Sequence, residues 1–195
     1  MRVLIATVTC GAGHLAAGAA LEEAWHAAHP DDVIEKIDLL KLFSPLHRKI
    51  YLDGYVKLIE RAPELWGMVF AKSDNPKLLQ RMKTIQRKFP SGSKQRFARH
   101  VKQFKPDVVL CTHYLPLETL TPMREKSDGP HPFVACIVTD FEAHALWMES
   151  CVDLYCVAAE ETKARLVARG VTAKNIVTTG IPIAAKFSAK PDAKA

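Results

Sequence analysis

The chain begins with a short apolar run that passes through two glycines into an alanine-rich segment. The run, Val3–Val8, is apolar and β-branched, which is typical of a strand buried on both faces of a parallel sheet. Gly11 and Gly13 permit a tight turn, and residues 15–28 have the small side chains and helix propensity that let a helix lie close to a sheet. A helix that begins at such a turn directs unpaired N–H groups and the positive end of its dipole into a crevice. His14 is the imidazole that this unit places in the crevice.

Five more apolar stretches alternate with helical patterns along the rest of the chain. They lie at residues 33–38, 108–111, 133–138, 154–157 and 175–179. Strands that alternate with helices predict an α/β fold with an open, parallel, Rossmann-like sheet and flanking helices. Residues 45–104 form instead one long helical pattern interrupted by prolines, and residues 184–195 are a polar tail. We therefore expect one domain over residues 1–183, with a helical insertion and a flexible C-terminal tail.

Four clusters of polar residues or glycines follow predicted strands, at the ends where each strand stops. They are Gly11–His14, Thr112-His113, Thr139-Asp140 with His144, and Gly180–Pro182. In an open parallel sheet, ligands bind at the carboxyl ends of the strands, where the connections diverge to opposite faces. Because all four clusters fall on this one edge, the edge is the predicted site.

His14 is the strongest candidate for a chemical role at this edge. Imidazole titrates near neutral pH and can take a proton from a hydroxyl, although the residue can also be structural, as a helix cap or a loop imidazole. Asp140 can cap a strand end, bind substrate or orient a base, since a carboxylate on the same edge raises the basicity of an imidazole. His113 and His144 fit hydrogen-bonded structural residues as well as they fit active groups.

The positive charge of the chain is concentrated in residues 72–105. This segment holds eleven Lys and Arg and one acid, whereas the rest of the chain holds sixteen bases and twenty acids. Apolar residues recur within it at helical spacing, at Leu78, Met82, Ile85 and Phe89 and again at Phe97, Val101 and Phe104. The flanking bases are Arg81, Lys83, Arg87, Lys88, Arg96, Arg99 and Lys102. Such helices can pack the stripe on the sheet, or lie at an anionic membrane where each base contributes about 1 kcal/mol.

Other classes of function fit the sequence less well. The basic segment has no aromatic stacking platform or nucleic-acid-binding module, so nucleic acid is not expected as a partner. Gly11-x-Gly13-x-x-Ala16 with Asp38 matches the dinucleotide fingerprint, but a histidine after the second glycine would crowd a pyrophosphate. No residue pattern resembles a metal site, and neither a metal nor a cofactor is expected. The five cysteines are odd in number and have no paired spacing, which is typical of a reducing compartment. Because the sequence also has no signal-peptide pattern and no apolar run long enough to span a membrane, it predicts a cytoplasmic protein.

Several of these motifs together resemble one protein family. Gly11–Leu21 resembles the first loop and helix of the monogalactosyldiacylglycerol synthase and processive diacylglycerol glucosyltransferase family. The similarity resumes at residues 106–113, is densest from Val138 to Trp147, and continues to Thr179–Pro182. Members are inverting GT-B glycosyltransferases that use a UDP-sugar without a metal. The resemblance implies the N-terminal half of a GT-B fold, which faces the membrane and binds the lipid acceptor.

The resemblance also implies roles for single residues. His14 matches the family's proposed base, which deprotonates the acceptor hydroxyl, and Asp140 matches a residue near the active site. Trp147 matches a position implicated in lipid contact and is expected, with the seven bases, to serve the membrane surface. The residues expected to bind the acceptor are Gly11, Gly13, His113, His144 and Trp147.

The predicted function is that of the acceptor-binding half of a glycosyltransferase. It would move a hexose from a UDP-sugar to diacylglycerol, in glycolipid synthesis at the inner face of the cell membrane. In the family, the Thr179–Pro182 motif leads into a UDP-sugar-binding domain, and this sequence ends thirteen residues after Pro182. We expect the chain alone to be inactive and to be completed by a donor-domain partner. The alternatives are a non-catalytic lipid-binding module or remnant and, less well supported, an NAD(P)-binding domain.

Overall fold

The structure is a computed structural model that describes residues 1–46, 48–49, 53–54, 61–62, 64–65, 67–68, 74–75 and 92–187. The strands of this part are β1 (Arg2–Thr7), β2 (Val33–Asp38), β3 (Val108–Cys111), β4 (Phe133–Ile137), β5 (Leu154–Val157) and β6 (Ile176–Thr178). Its α-helices are α1 (Ala12–Ala28), α2 (Gly92–Phe104), α3 (Leu117–Glu125) and α4 (Glu160–Ala168). Short 3-10 helices span Leu39–Leu42, Ala145–Trp147, Ala173–Asn175 and Ala185–Phe187.

The strands of the described part form a sheet in which every neighbouring pair is parallel. Their spatial order is β2-β1-β3-β4-β5-β6. The chain leaves β1 toward β2 on one side and returns to β3 on the other, so its connections diverge between β1 and β3. A crevice opens at the carboxyl ends of the strands at such a point, and ligands bind there in open α/β sheets. The predicted fold class is confirmed.

The strand β1 is buried on both faces of the sheet, which explains its apolar sequence. Successive side chains of a strand point to opposite faces, so a strand that is covered on both sides must be apolar throughout. Leu4 and Ala6 belong to a cluster that includes residues of α2, α3 and α4. Val3 and Ile5 belong to a second cluster, against which Trp25 of α1 packs. The helices on both faces thereby fix the carboxyl end of β1 beside that of β3.

All six predicted strands are present, and three of them have the expected bounds. The strand β1 lies one residue earlier than predicted, at Arg2–Thr7 instead of Val3–Val8. β2, β3 and β5 agree with the prediction, while β4 and β6 are shorter by one residue at one or both ends. The helix α1 begins at Ala12 rather than at residue 15, so His14 lies in its first turn. Within the predicted insertion over residues 45–104, the part that the structure describes is mainly α2. Residues 188–195 of the predicted tail lie outside the described residues. The domain boundary at residue 183 stays a prediction.

No helix in the part of the chain that the structure describes is both long and apolar enough to span a bilayer.

Candidate active site

Gly11 makes the turn that leads from β1 into the first turn of α1. Its φ of +89° is one that residues with a Cβ rarely adopt, so glycine enters the helix here without strain. Gly13 lies inside α1, and a Cβ added to it would meet no atom within 4 Å. The backbone therefore requires glycine at position 11, whereas nothing in the described surroundings requires it at position 13. That these two residues bind the acceptor stays a prediction.

The imidazole of His14 is held through one of its two nitrogens. Nδ1 lies 2.8 Å from the backbone carbonyl oxygen of Thr112 and 2.8 Å from the hydroxyl oxygen of Thr139. Nε2 has no hydrogen-bond partner among the residues that the structure describes. The ring is half-buried, at the carboxyl ends of β1, β3 and β4. His14 therefore combines a fixed orientation with one free ring nitrogen at the crevice.

The backbone of His14 is also fixed to the sheet. Its carbonyl oxygen accepts hydrogen bonds from the hydroxyls of Thr7, at 3.1 Å, and Thr112, at 3.0 Å. Both threonines are buried, so these bonds are shielded from water. Thr112 and Thr139 were predicted to lie at this carboxyl edge, but no role was predicted for either of them. Thr7 was not among the predicted site residues. The signal that could have found them is a threonine at the end of each of three predicted strands.

His113 forms part of the wall behind His14. Its ring lies 4.6 Å from the His14 ring, centroid to centroid, in an edge-on arrangement. Nδ1 of His113 accepts a hydrogen bond of 3.0 Å from the Leu115 amide. Burial, with a smaller effect of neighbouring His14, lowers the pKa of His113 to about 3. His113 is therefore neutral at physiological pH, and its predicted contact with the acceptor remains a prediction.

Trp147 lies beneath the two histidines rather than at the surface. Its indole is 1 % exposed, and its ring centroid is 6.2 Å from that of His14 and 6.1 Å from that of His113. The indole Nε1–H donates a hydrogen bond of 3.0 Å to Asp140. The prediction that Trp147 serves the membrane surface is wrong, because this ring is part of the core. A role in acceptor binding stays a prediction.

Asp140 contacts Trp147 and not His14. No hydrogen bond of the described residues joins the Asp140 carboxylate to His14, and Thr139 makes that contact instead. The idea that Asp140 orients His14 directly is therefore wrong in this structure. Asp140 is exposed at the carboxyl edge, next to Thr139, which contacts His14. Its predicted part in catalysis stays a prediction.

His144 is buried in a structural position. Its Nδ1 accepts a hydrogen bond of 3.0 Å from the Leu146 amide and so caps the 3-10 helix at Ala145–Trp147. Its Nε2 lies 3.7 Å from Asp74, which forms an ion pair with Arg169. Burial opposes ionisation of Asp74, but hydrogen bonds from Arg169 and from the Ala145 amide outweigh it and lower the pKa of Asp74. This surrounding fits the structural interpretation of His144, and acceptor binding by it stays a prediction.

Asp38, the acidic residue of the dinucleotide fingerprint, is already engaged within the protein. Its carboxylate accepts hydrogen bonds from the amides of Thr9, at 3.1 Å, and Leu40, at 3.0 Å. The Thr9 hydroxyl donates to it as well. These three bonds use most of the carboxylate's capacity to accept and leave little of it for a ribose, so the geometry disfavours the NAD(P)-binding alternative.

The helix α2 uses its apolar stripe in the core. Phe97, Val101 and Phe104 are buried, and they pack in the same cluster as β1 and β3. Arg96, Arg99 and Lys102 are exposed on the other side of the helix. For α2 the first alternative, a stripe packed on the sheet, is confirmed, so this helix does not bury its apolar face in lipid. The remaining predicted bases, Arg81, Lys83, Arg87 and Lys88, lie outside the described residues.

A groove of about 1040 Å³ lies between α2 and α3, away from the residues around His14. Its lining includes Lys102 and Lys105 but neither His14 nor Asp140. The candidate site therefore rests on the convergence of three strand ends around one imidazole, at an edge that is open to solvent.

Comparison with known proteins assigns most of the chain to a family. The family described as monogalactosyldiacylglycerol (MGDG) synthase matches residues 14–183, which is most of the chain. The chain belongs to the monogalactosyldiacylglycerol synthase family. The matched residues of this family member begin at His14 and include both Thr112 and Thr139.

The curated relatives that this family member matches are about twice as long as it is. It is 30% identical over 186 residues to a processive diacylglycerol beta-glucosyltransferase of Bacillus cytotoxicus, covering 95% of this chain and 46% of the relative. It is 31% identical over 189 residues to the enzyme of the same description from Bacillus cereus, covering 97% of this chain and 47% of the relative. The chain thus spans about half the length of the curated relatives that it matches.

Two solved structures align with this chain over somewhat less than half of their own length. The lipopolysaccharide outer core galactosyltransferase WaaB, in its apo form, aligns with a TM-score of 0.53 at 17% identity, over 91% of this chain and 45% of that one. The UDP-GlcNAc 2-epimerase from Neisseria meningitidis aligns with a TM-score of 0.51 at 16% identity, over 93% and 46%. At these identities the likeness concerns the fold alone. This member of the monogalactosyldiacylglycerol synthase family therefore has the architecture of one half of a GT-B fold.

Proposed function

We propose that this chain is the acceptor-binding half of a glycosyltransferase that moves a hexose from a UDP-sugar to a diacylglycerol-type lipid. His14 is the general base, and the crevice between the ends of β1 and β3 receives the acceptor hydroxyl. The observation that carries the proposal is the His14 imidazole, which is fixed through Nδ1 and free at Nε2. The proposal is supported by the family match and by relatives that are described as diacylglycerol glucosyltransferases.

The reaction needs one proton to be removed as one bond forms. Nε2 of His14 takes the proton of the acceptor hydroxyl, and the hydroxyl oxygen bonds to the anomeric carbon of the sugar. The bond from that carbon to the phosphate oxygen breaks, and UDP leaves with the electron pair. The imidazolium then returns its proton to solvent. A base placed in this way contributes roughly 10²–10⁴ to the rate.

The sugar donor has to be supplied by a second domain. Since the chain spans about half of its relatives, we place the UDP-sugar site in the part of those relatives that lies outside the match. That part would be supplied by a longer form of the chain or by a partner subunit. The assembled enzyme would be peripheral at the inner face of the cell membrane, where the basic segment meets anionic lipid.

A transfer assay tests this proposal. The chain is expressed together with, or joined to, a UDP-sugar-binding domain of a family member and mixed with labelled UDP-glucose or UDP-galactose and diacylglycerol vesicles. We expect labelled glycolipid from the combined enzyme and none from the chain alone. Failure of every UDP-sugar to label diacylglycerol, with the donor domain binding its UDP-sugar normally, would favour the non-catalytic lipid-binding module.

Binding to anionic membranes is a separate expectation. Four bases of the segment are neutralised to glutamine in one variant: Arg81, Lys83, Arg87 and Lys88. At about 1 kcal/mol for each base near an anionic surface, this variant should bind vesicles that contain acidic lipid roughly 10²–10³ times more weakly. The measurement is co-sedimentation of the chain with vesicles of increasing phosphatidylglycerol content.

The matched control for this experiment neutralises four exposed lysines outside the segment. They are Lys41, Lys126, Lys174 and Lys186. If the two variants lose affinity equally, the effect is one of net charge, and the segment is not the membrane-binding surface.

A further inference from the structure

The contacts of the His14 ring determine which of its nitrogens carries the hydrogen. A backbone carbonyl oxygen can only accept a hydrogen bond, so the 2.8 Å contact between Nδ1 and the Thr112 oxygen requires a hydrogen on Nδ1. If the Thr139 hydroxyl donated to a bare Nδ1 instead, a lone pair on Nδ1 would face the carbonyl oxygen at that distance. Thr139 therefore accepts from the same Nδ1–H, which it approaches to 2.8 Å. In the neutral ring, the remaining lone pair is on Nε2.

We propose that Thr139 is a positioning residue, which together with the Thr112 carbonyl holds His14 in the Nδ1–H tautomer and so keeps Nε2 available as the base. This inference rests on the proposed function, in which His14 is that base. It assigns a role to the hydroxyl of Thr139, which acts on the acceptor only through His14.

Three threonines contribute to the same hold on His14, and we call them the threonine clamp: Thr7, Thr112 and Thr139. The hydroxyls of Thr7 and Thr112 donate to the His14 carbonyl oxygen, at 3.1 Å and 3.0 Å. They fix the first turn of α1 to the ends of β1 and β3, while Thr139 and the Thr112 carbonyl fix the ring to β4 and β3. Separate hydrogen bonds thus hold the backbone and the ring of His14. Rotation about the side-chain torsions of His14 would break the contacts at Nδ1.

The clamp orients the base without a carboxylate. The Asp140 carboxylate accepts from the Trp147 indole, and the groups that meet Nδ1 are a carbonyl and a hydroxyl. When Nε2 takes a proton, the imidazolium still donates from Nδ1 to the same two oxygens. The ring therefore needs no reorientation during proton transfer, which is the property of a preorganised site. Neighbouring His113 stays neutral, so it does not compete for the proton.

The test compares variants at position 139 in the complete enzyme, with its donor-binding domain. Thr139→Val keeps the shape of the side chain and removes the hydroxyl, whereas Thr139→Ser keeps the hydroxyl. One hydrogen bond contributes about 0.5–1.5 kcal/mol, so we expect Thr139→Val to lower kcat by roughly threefold to tenfold with the acceptor KM unchanged. We expect Thr139→Ser to retain kcat within about twofold of the wild type. Thr139→Ala is a second hydroxyl-free variant and should behave as Thr139→Val does.

A spectroscopic readout separates positioning from a general loss of structure. In this chain with ¹⁵N-labelled histidine, NMR correlations between ring protons and ring nitrogens report the tautomer of His14. We expect the Nδ1–H form in the wild type and in Thr139→Ser, and a growing share of the Nε2–H form in Thr139→Val. The control is Thr172→Val, at an exposed threonine whose side chain makes no capping hydrogen bond. It should change neither kcat nor the tautomer.

The outcomes distinguish this inference from the proposed function. If Thr139→Val and Thr139→Ala retain the wild-type kcat and tautomer while a His14 variant is inactive, Thr139 has no positioning role and the base assignment stands. If Thr139→Ser loses as much activity as Thr139→Val, the hydroxyl is not the effective group, and the inference is likewise overturned. If the His14 variant is fully active, the proposed function itself fails.

Discussion

Replacing His14 by glutamine is expected to lower kcat for sugar transfer by roughly 10²–10⁴ in the complete enzyme. The amide of glutamine can still donate to the Thr112 carbonyl, but it has no basic nitrogen to place at the position of Nε2. The acceptor hydroxyl would then have to lose its proton to water. Because the ring nitrogen accepts the proton of the acceptor hydroxyl in the transition state, we expect kcat to fall while the acceptor KM changes little. Steady-state rates over a range of diacylglycerol concentrations in mixed micelles measure both quantities.

The matched control for this variant is His26→Gln. His26 lies on the same helix, near its C-terminal end, and is exposed. It should keep the wild-type kcat, and both variants should unfold at the wild-type temperature. A His14→Gln enzyme with near-normal turnover would remove His14 from the mechanism, whatever its contacts in the crevice.

Replacing Trp147 by alanine is expected to lower the free energy of unfolding by about 3–5 kcal/mol. The indole is 1 % exposed and lies against the rings of His14, His113 and Tyr114, so the truncation leaves a cavity below the edge that holds His14. It also leaves the Asp140 carboxylate without the indole N–H. Urea unfolding of the chain, followed by far-ultraviolet circular dichroism, measures the change.

Phe141→Ala provides the control, because Phe141 is an aromatic residue of the same connection that is 71 % exposed. Its removal should change the free energy of unfolding by no more than about 0.5 kcal/mol. A Trp147→Ala variant of unaltered stability that bound vesicles more weakly would contradict the buried position and restore the lipid-contact interpretation.

The fold was largely predictable because hydrophobic burial left a strong pattern in the strands. Val3–Ala6 had to be apolar throughout once helices covered both faces of the sheet, and the same constraint marks residues 108–111 and 154–157. Helix starts were less predictable. Ala12 and Gly13 look like loop residues in the sequence, but Gly11 alone provides the unusual backbone angle, and the helix begins immediately after it.

The position of His14 at the candidate site was predictable, and its immediate partners were not. A histidine in a glycine-rich turn after a strand is visible in the sequence, but the backbone carbonyl of Thr112 has no sequence signature. The carboxylate of Asp140 predicted a contact with the imidazole, because carboxylates are the usual partners of imidazole, but the neighbouring Thr139 makes that contact. Trp147 was misplaced for a related reason, since an indole serves equally well in a core and at a membrane.

The basic segment shows a different limit of sequence reasoning. The charge of the segment can be counted, but an amphipathic helix has the same pattern whether its apolar side meets a sheet or a membrane. Only the packing of Phe97, Val101 and Phe104 against the sheet decides the question for α2.

Under the proposed function, the threonine clamp makes the orientation of the base a property of the assembled sheet. Its three hydroxyls come from positions 7, 112 and 139, which are far apart in the chain and meet only when β1, β3 and β4 are side by side. Pairings between such distant segments form late relative to local helices during folding. A refolding intermediate or a proteolytic fragment that lacks β4 can therefore contain α1 and His14 and still have no oriented base. Recovery of transfer activity would then report the closure of the central strands rather than the formation of helix.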